Sequence, residues 1–332
     1  MEERKSDFNS SILKFFNPST YLNHSMRRRD VKAKKSLGQH FLTDVSVARR
    51  IADTVDAAPT LPVLEVGPGT GALTEHLVIK GRDLRVVELD RESIAYLREH
   101  FPMLRGERLI EGDFLRMDLS QLFGGKPFVL TGNYPYNISS QIFFKMLDYR
   151  DLIPCCTGMI QREVALRLCS GPGNRDYGIL SVILQAWYDT EYLFTVDENA
   201  FNPPPKVKSA VVRFTRNSVT DLGCDERLFR RVVKTTFNQR RKMMRGSIKP
   251  LLAQLDSERL ALTQRDDQQS TVNGQWPMVD DQWTMVNDQW TMANAPDHST
   301  FLSLPVLTKR PEQLSVQDFI DLTNAVEREC FS

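Results

Sequence analysis

The chain has 332 residues, of which 41% are hydrophobic and 26% charged, as is typical of a globular protein with one large or two moderate domains. No stretch approaches the roughly 18 apolar residues of a membrane-spanning helix. The five cysteines include no CxxC pair and the five histidines no HxH or HExxH spacing, which argues for a cytoplasmic protein without a disulfide framework or a metal ion.

The net charge of +1 conceals two strongly basic stretches. Residues 27–35 hold six basic side chains against one acid, and residues 230–249 hold eight basic side chains and no acid. Such segregation favours a polyanionic partner at two local surfaces. The polar residues 1–25 show no periodicity, so we expect residues 1–30 to be a disordered extension, with Met26 as an alternative start of the protein.

From Asp44 onward, helical and strand patterns alternate. Asp44 stands where the N-cap of a first helix is expected. Short apolar runs predict strands at 61–66, 84–89, 108–111, 128–131, 157–160, 192–196 and 209–214. Helices are predicted at 70–79, at 91–100, after Asn137 through Leu147, from Arg162, and at 179–187. Repeated strand–helix units predict a parallel sheet with helices on both faces, and the last two strands an antiparallel pair at its edge.

After about residue 220 the strand patterns stop, and apolar helical faces follow at 228–237, 251–255 and 319–326. We interpret this region as a small all-α domain. A polar segment at about 265–300 interrupts it and repeats a Gln-Trp pair at Trp276, Trp283 and Trp290. Because Asp, Asn, Gly and Pro separate the repeats, a coiled coil is disfavoured, and we expect a disordered tandem duplication.

The first chemical motif is a glycine-rich turn that follows the strand at 61–66. Gly67, Gly69 and Gly71 let the backbone turn sharply and approach a ligand closely, where a side chain would occupy the ligand's volume. A glycine cluster alone also occurs in dinucleotide-binding enzymes. The full Glu-x-Gly-x-Gly-x-Gly pattern is more typical of methyltransferases that use S-adenosyl-L-methionine (AdoMet).

Two acids follow the next strands. Glu88 lies 21 residues after Gly67, at a strand end where a carboxylate can accept hydrogen bonds from both hydroxyls of a ribose. Asp113 follows the third strand and could accept from an adenine amine, while Phe114 offers an apolar face. The sequence therefore predicts a nucleoside-containing cofactor at this edge of the sheet.

The third motif is Asn133-Tyr134-Pro135-Tyr136-Asn137, directly after the fourth strand. An exocyclic amine on a purine is a poor nucleophile, because its lone pair is delocalised into the ring. The Asn133 side-chain oxygen and a backbone carbonyl of the turn at Pro135 can accept both N–H bonds and free the lone pair, with no strong base required. Tyr136 can stack on a base that is splayed out of its helix. This motif predicts methylation of a conjugated amine.

Together these blocks resemble the bacterial KsgA (RsmA) family of small-subunit ribosomal RNA adenine dimethyltransferases. The resemblance extends over the glycine turn, the Asn133 loop and four further stretches, at 34–42, 201–211, 237–242 and 310–319. It implies an α/β Rossmann-like class I AdoMet methyltransferase fold at 31–218, and an RNA-binding helical domain at 219–332. Tyr134 departs from the leucine or isoleucine usual at its position.

The resemblance also implies site roles and a substrate. For the AdoMet site it implies His40, Leu42, Gly67, Gly69, Glu88, Asp113 and Asn133. For the target adenine and the RNA it implies Pro135, Tyr136, Phe201, Arg240, Arg241 and Lys242. The reaction it implies is the transfer of two methyls to each of two adjacent adenines near the 3′ end of small-subunit (16S) rRNA, with S-adenosyl-L-homocysteine as the product. We further expect the substrate to be a pre-ribosomal particle and the protein to be a monomer.

Alternatives remain open at several points. Phe201 would be either a stacking partner of the base or a core residue before a proline turn. An Erm-type enzyme acting on large-subunit rRNA is the nearest rival, although residues 37–40, 203–207 and 314–319 favour the small-subunit type. A ribosome-assembly factor that binds RNA with lost or secondary catalysis is an alternative of another class, and the intact cofactor residues argue against it.

Overall fold

The computed structural model describes residues 31–266 and 298–331. The expected extension at 1–30 and the tryptophan repeat lie outside these residues, and both stay predictions. Within the described ranges, no helix is long and apolar enough to cross a membrane. The chain divides into two compact units: the described residues up to Ser170 with Asp176–Val219, and Gly171–Arg175 with the described residues from Thr220 onward.

The first unit contains the strands and six α-helices. The strands are β1 (Phe41–Leu42), β2 (Val63–Val66), β3 (Leu84–Glu88), β4 (Leu109–Glu111), β5 (Val129–Asn133), β6 (Cys155–Gln161), β7 (Tyr188–Val196), β8 (Phe201–Asn202) and β9 (Ser209–Arg216). The helices are α1 (Val45–Thr54), α2 (Thr74–Ile79), α3 (Arg91–His100), α4 (Ser139–Asp148), α5 (Arg162–Cys169) and α6 (Ile179–Gln185).

Seven strands form one sheet in the order β4-β3-β2-β5-β6-β9-β7. The first five in this order are parallel, and β9 is antiparallel to both β6 and β7. This confirms the predicted, mostly parallel sheet with an antiparallel edge. The chain runs outward from β2 to β4 and then returns to the other side of β2, so the strand order reverses between β2 and β5. In open α/β sheets ligands bind at such a point, outside the carboxyl ends of the strands.

Two element boundaries differ from the predictions: glycines delay the start of one helix, and strand pairing extends one strand. The helix expected from residue 70 begins at Thr74, because Gly69 and Gly71 have φ of 57° and 78°, outside the right-handed helical region. The turn expected from Gly132 begins later, since Gly132 and Asn133 still pair with β6. The predicted N-cap is confirmed: the Asp44 side chain accepts from the backbone amides of the first turn of α1.

The second unit contains α7 (Glu226–Asn238), α8 (Met244–Ser247), α9 (Lys249–Asp266), α10 (Ser299–Leu302) and α11 (Val316–Phe331). The rings of Phe237 and Phe319 stack 5.8 Å apart between α7 and α11. His298 lies between two carboxylates, with Nε2 2.9 Å from Asp256 Oδ2 and Nδ1 2.8 Å from Glu329 Oε1. These contacts tie the start of α10 to α9 and α11.

One segment falls in a different unit from the one we expected. Residues 171–175 were included in the predicted domain 31–218, but they cluster with the helical unit. The backbone amide of Gly173 donates to Glu312 O, and Asn174 O accepts from Arg240 at 3.3 Å. These hydrogen bonds to residues far along the chain explain the assignment. The functions assigned to the two domains stay predictions.

Candidate active site

A cavity of about 190 Å³ lies at the carboxyl ends of β2, β3 and β5, where the strand order reverses. It brings together most of the sequence-predicted site residues, although they come from five separate stretches of the chain. The predicted residues on its lining are His40, Leu42, Gly67, Gly69, Glu88, Asp113, Asn133, Pro135 and Tyr136.

The glycine turn lines this cavity, and Gly67 and Gly69 are required for different reasons. Gly67 and Gly69 have φ of 68° and 57°, which side chains rarely allow. A Cβ on Gly67 would meet only Pro135, at 3.8 Å, so this glycine keeps space open toward the Asn133 loop. A Cβ on Gly69 would lie 2.9 Å from the Phe41 ring. At Gly69 the volume that a side chain would occupy therefore belongs to the protein's own Phe41.

Glu88 is held rigidly beside the glycine turn. Its Oε2 accepts from the Gly69 amide, and its Oε1 accepts from the amides of Leu89 and Asp90, all at 2.9 Å. Burial raises the pKa of Glu88, and the three amides partly offset this effect. Each carboxylate oxygen has two lone pairs, so Oε2 can still accept from a ribose hydroxyl.

Asp113 and Phe114 lie at the next strand end, as expected. Asp113 Oδ1 accepts from the Leu115 amide at 2.9 Å, and the Asp113 side chain is 35% exposed. Phe114 is buried and also lines the cavity. An apolar ring beside a partly exposed carboxylate suits an adenine with an exocyclic amine, and this role stays a prediction.

Asn133 has a defined orientation, because its Nδ2 donates to the His40 carbonyl at 2.9 Å. A carbonyl can only accept, so the amide nitrogen faces His40 and Oδ1 remains an acceptor for another group. His40 is itself fixed on two sides. Its Nδ1 donates to Pro203 O at 2.9 Å, and its ring stacks on Tyr136 with centroids 5.4 Å apart.

Tyr136 is half-buried, and its hydroxyl forms a hydrogen bond with Ser209 Oγ at the start of β9. Burial raises the pKa of Tyr136, so the phenol stays neutral. With His40 against the ring and Ser209 at the hydroxyl, the plane of the ring is set before any base arrives.

Phe201 is placed differently from the stacking role that the resemblance implied. It is 4% exposed, belongs to the hydrophobic core and pairs with Leu42 between β8 and β1. It is not among the residues that line the cavity. In the structure Phe201 is thus a core residue before a proline turn, and its role toward a bound base stays a prediction.

The basic cluster lies in the helical unit, and its three members are not equivalent. Arg240 forms an ion pair with Glu312 at 3.6 Å and donates to Asn174 O, so it is engaged within the protein. Arg241 and Lys242 are exposed. Two further cations, Lys309 and Arg310, are exposed and were not among the predicted residues. They lie close to this cluster, because the Met244 amide donates to Lys309 O at 2.8 Å.

Glu65, in the middle of β2, entered the sequence analysis only as the first residue of the Glu-x-Gly-x-Gly-x-Gly pattern and was given no role in the site. Its side chain is 1% exposed and lines the cavity, and its Oε2 has no hydrogen-bond partner in the described part of the chain. Burial, together with the nearby charge of Glu88, raises the pKa of Glu65 to about 8. The available signal was an acid inside a strand that is otherwise wholly apolar. A carboxyl oxygen without a partner beside the glycine turn fits AdoMet, which carries an ammonium group that can donate to it.

Sequence comparisons place the chain among proteins that methylate ribosomal RNA. Residues 30–275 match the family described as ribosomal RNA adenine dimethylase. The chain is 58% identical to ribosomal RNA small subunit methyltransferase A of Phocaeicola vulgatus, covering 90% of each chain, and 46% identical to that of Flavobacterium johnsoniae, covering 90% of this chain and 97% of the relative.

A solved structure shows the same fold. A dimethyladenosine transferase from Plasmodium falciparum superposes with a TM-score of 0.66 at 23% identity, over 87% of this chain and 98% of the other. The class I methyltransferase fold predicted from the sequence is thereby confirmed. The chain belongs to the ribosomal RNA adenine dimethylase family, whose methyl donor is S-adenosyl-L-methionine.

Proposed function

We propose that this protein transfers two methyl groups to the N6 atom of each of two adjacent adenines near the 3′ end of small-subunit rRNA. In this proposal it acts as a monomer in the cytoplasm, on a pre-ribosomal particle. The observation that carries the proposal is the orientation of Asn133, whose Nδ2 is held by the His40 carbonyl so that Oδ1 stays available. The names of the relatives support the choice of the small subunit.

The loop residues are suited to hold an amine during the reaction. Asn133 Oδ1 accepts one N6–H bond. We assign the second N6–H bond to the Tyr134 carbonyl, which directly follows Asn133 in the chain, whereas the Pro135 carbonyl accepts from the Ile138 amide at 3.2 Å and has one lone pair left. With both hydrogens held, the nitrogen becomes pyramidal and its lone pair points out of the purine ring. Tyr136 stacks on the base and keeps it in the pocket.

When bound, AdoMet supplies a methyl group on a sulfonium sulfur and leaves as S-adenosyl-L-homocysteine. The N6 lone pair forms the new C–N bond as the C–S bond breaks, and N6 then loses a proton to solvent, so the chain needs no general base. The contribution of the protein is orientation and alignment, which account for much of the rate in such transfers. In the second methylation N6 carries only one hydrogen, so one of the two acceptors holds it.

Binding of the RNA backbone is assigned to the exposed cations of the helical unit. Arg241, Lys242, Lys309 and Arg310 are exposed, and hydrogen bonding between Met244 and Lys309 brings their two segments together. Phosphate contacts of this kind position an RNA without reading its sequence. We therefore assign the choice of adenine to the pocket and the anchoring of the particle to this patch.

The proposal is tested by methyl transfer from labelled AdoMet to purified immature small subunits, with large subunits as the competing substrate. Nucleoside analysis should give dimethyladenosine from the small-subunit RNA only. Label in the large subunit would support the Erm-type alternative, and binding without label would support the assembly-factor alternative. Asn133→Ala should lose transfer, whereas Asn199→Ala, at an exposed asparagine far from the loop in sequence, should retain it.

A further inference from the structure

Tyr134 lies between Asn133 and Pro135, yet its side chain is 1% exposed and packs in the core of the first unit. Its ring meets Phe143 edge to face, with centroids 5.8 Å apart. Burying a tyrosine usually requires a partner for its hydroxyl. That partner lies on the neighbouring strand: the hydroxyl donates to Thr157 O at 3.0 Å and lies 3.3 Å from Cys156 Sγ.

The same residue is bound to β6 at its other end. The Tyr134 amide donates to Met159 O at 3.0 Å, which continues the pairing of β5 with β6 one residue beyond the strand. Tyr134 therefore contacts β6 through its backbone at Met159 and through its phenol at Thr157. Two points of attachment restrain rotation of the segment as well as its distance from the sheet.

Two glycines make room for the ring. Gly132 and Gly158 are opposite each other in the register of β5 and β6. A Cβ on Gly158 would lie 2.6 Å from Tyr134 Cε2, and one on Gly132 would lie 3.2 Å from Tyr134 Cδ1. A backbone carbonyl lies nearer still to each Cβ, Gly132 O at 2.4 Å for Gly158 and Val66 O at 2.6 Å for Gly132, so the packing of the strands also requires these glycines. The ring of Tyr134 lies in the space that the absent side chains leave, and an aliphatic side chain at position 134 would leave the hydroxyl contact unmade.

We propose that Tyr134 is a positioning residue whose hydroxyl bond to the Thr157 carbonyl sets the geometry of the Asn133–Pro135 loop. The proposal rests on the proposed function, because it assigns Tyr134 to the same reaction. Asn133 Oδ1 and the Tyr134 carbonyl have to meet two N–H bonds on one nitrogen atom. Sites of this kind require side chains held within about 0.5 Å of the productive position.

The test compares two variants that each remove one buried hydroxyl. Tyr134→Phe deletes the bond to Thr157 O. Tyr188→Phe is the matched control, because Tyr188 is also 1% exposed and donates to a backbone carbonyl, that of Ile153 at 2.9 Å, away from the loop. Each variant should lose a similar amount of stability, because each loses one buried hydrogen bond to a backbone carbonyl.

Tyr134→Phe should lower kcat for methylation of the small-subunit particle about tenfold, with the Kd for AdoMet within about twofold of wild type. Tyr188→Phe should leave both close to wild type. Hydrogen exchange at 129–138 should be faster in Tyr134→Phe alone. Equal kcat in the two variants, or equal exchange, would overturn the positioning role. Because exchange requires no turnover, it tests this role even if wild type fails to methylate the particle, a result that would overturn the proposed function instead.

Discussion

Replacing Glu65 with glutamine should change how the stability of the protein depends on pH. The substitution keeps the shape of the side chain and removes one ionisable group from the middle of β2. Glu65 is 1% exposed, and its Oε2 has no hydrogen-bond partner among the described residues. The neutral form of the side chain is therefore favoured in the folded protein, and the unfolded chain has no such preference.

The sign and size of the effect follow from the two pKa values. Burial raises the pKa of Glu65 from 4.5 to about 8. The folded protein holds this proton more tightly than the unfolded chain does. The contribution of protonated Glu65 to the free energy of unfolding is therefore complete below pH 4.5 and is lost as the pH rises through 8. Each pKa unit corresponds to about 1.4 kcal/mol, so ionising Glu65 lowers the free energy of unfolding by roughly 5 kcal/mol. A glutamine amide carries a burial penalty that does not change with pH.

The measurement is urea-induced unfolding followed by circular dichroism, at intervals from about pH 5 to about pH 9. The free energy of unfolding of Glu65→Gln, minus that of wild type, should increase from about pH 5 to about pH 8 and level off above it, where Glu65 is ionised in both the folded and the unfolded state. Glu107→Gln is the control, because the Glu107 side chain is 87% exposed and the substitution should give a nearly constant difference. A pH-independent difference for Glu65→Gln would refute the assignment of a buried, neutral carboxyl group.

Three further predictions concern the loop, the basic patch and the helical unit. Asn133→Ala should lower methyl transfer by about a hundredfold, while AdoMet affinity falls less; unchanged turnover would refute the amine-orienting role. Replacing Arg241 and Lys242 with alanine should make the dependence of log K on log salt shallower by about 1 per lost phosphate contact, whereas Arg240→Ala should mainly lower stability. An unchanged slope in the double variant would show that the patch does not contact phosphates. Burial lowers the pKa of His298, but hydrogen bonds to its two carboxylates outweigh this effect and raise it. The stabilisation of the folded protein by charged His298 should be complete below pH 6.5 and lost as the pH rises through the raised pKa of His298. The stability difference between wild type and His298→Gln should therefore shrink at alkaline pH. If thermal unfolding showed the same stability difference between wild type and His298→Gln at every pH, the predicted role of His298 would be wrong.

Much of the fold was predictable because its signals are local. The apolar run at 61–66, the glycines that follow it and the acid at Glu88 together indicate a strand that enters a ligand-binding turn. The boundaries were less predictable: Gly132 and Asn133 look like turn residues, but they pair with β6, from a stretch more than twenty residues further along the chain. Strand pairing therefore extended β5 beyond the limit that local turn chemistry predicts.

By itself, the sequence determined the order of the seven strands of the main sheet and of the helices between them, the type of cofactor and the class of reaction. The spacing of glycine, acid and asparagine along strand ends is a short-range pattern. Only the tertiary structure decided which way the Asn133 amide points, because its partner, the His40 carbonyl, is 93 residues away. It likewise placed Phe201 in the core and paired Arg240 with Glu312. Side-chain orientation depends on groups that only folding brings within hydrogen-bonding or packing distance, and no local pattern encodes them.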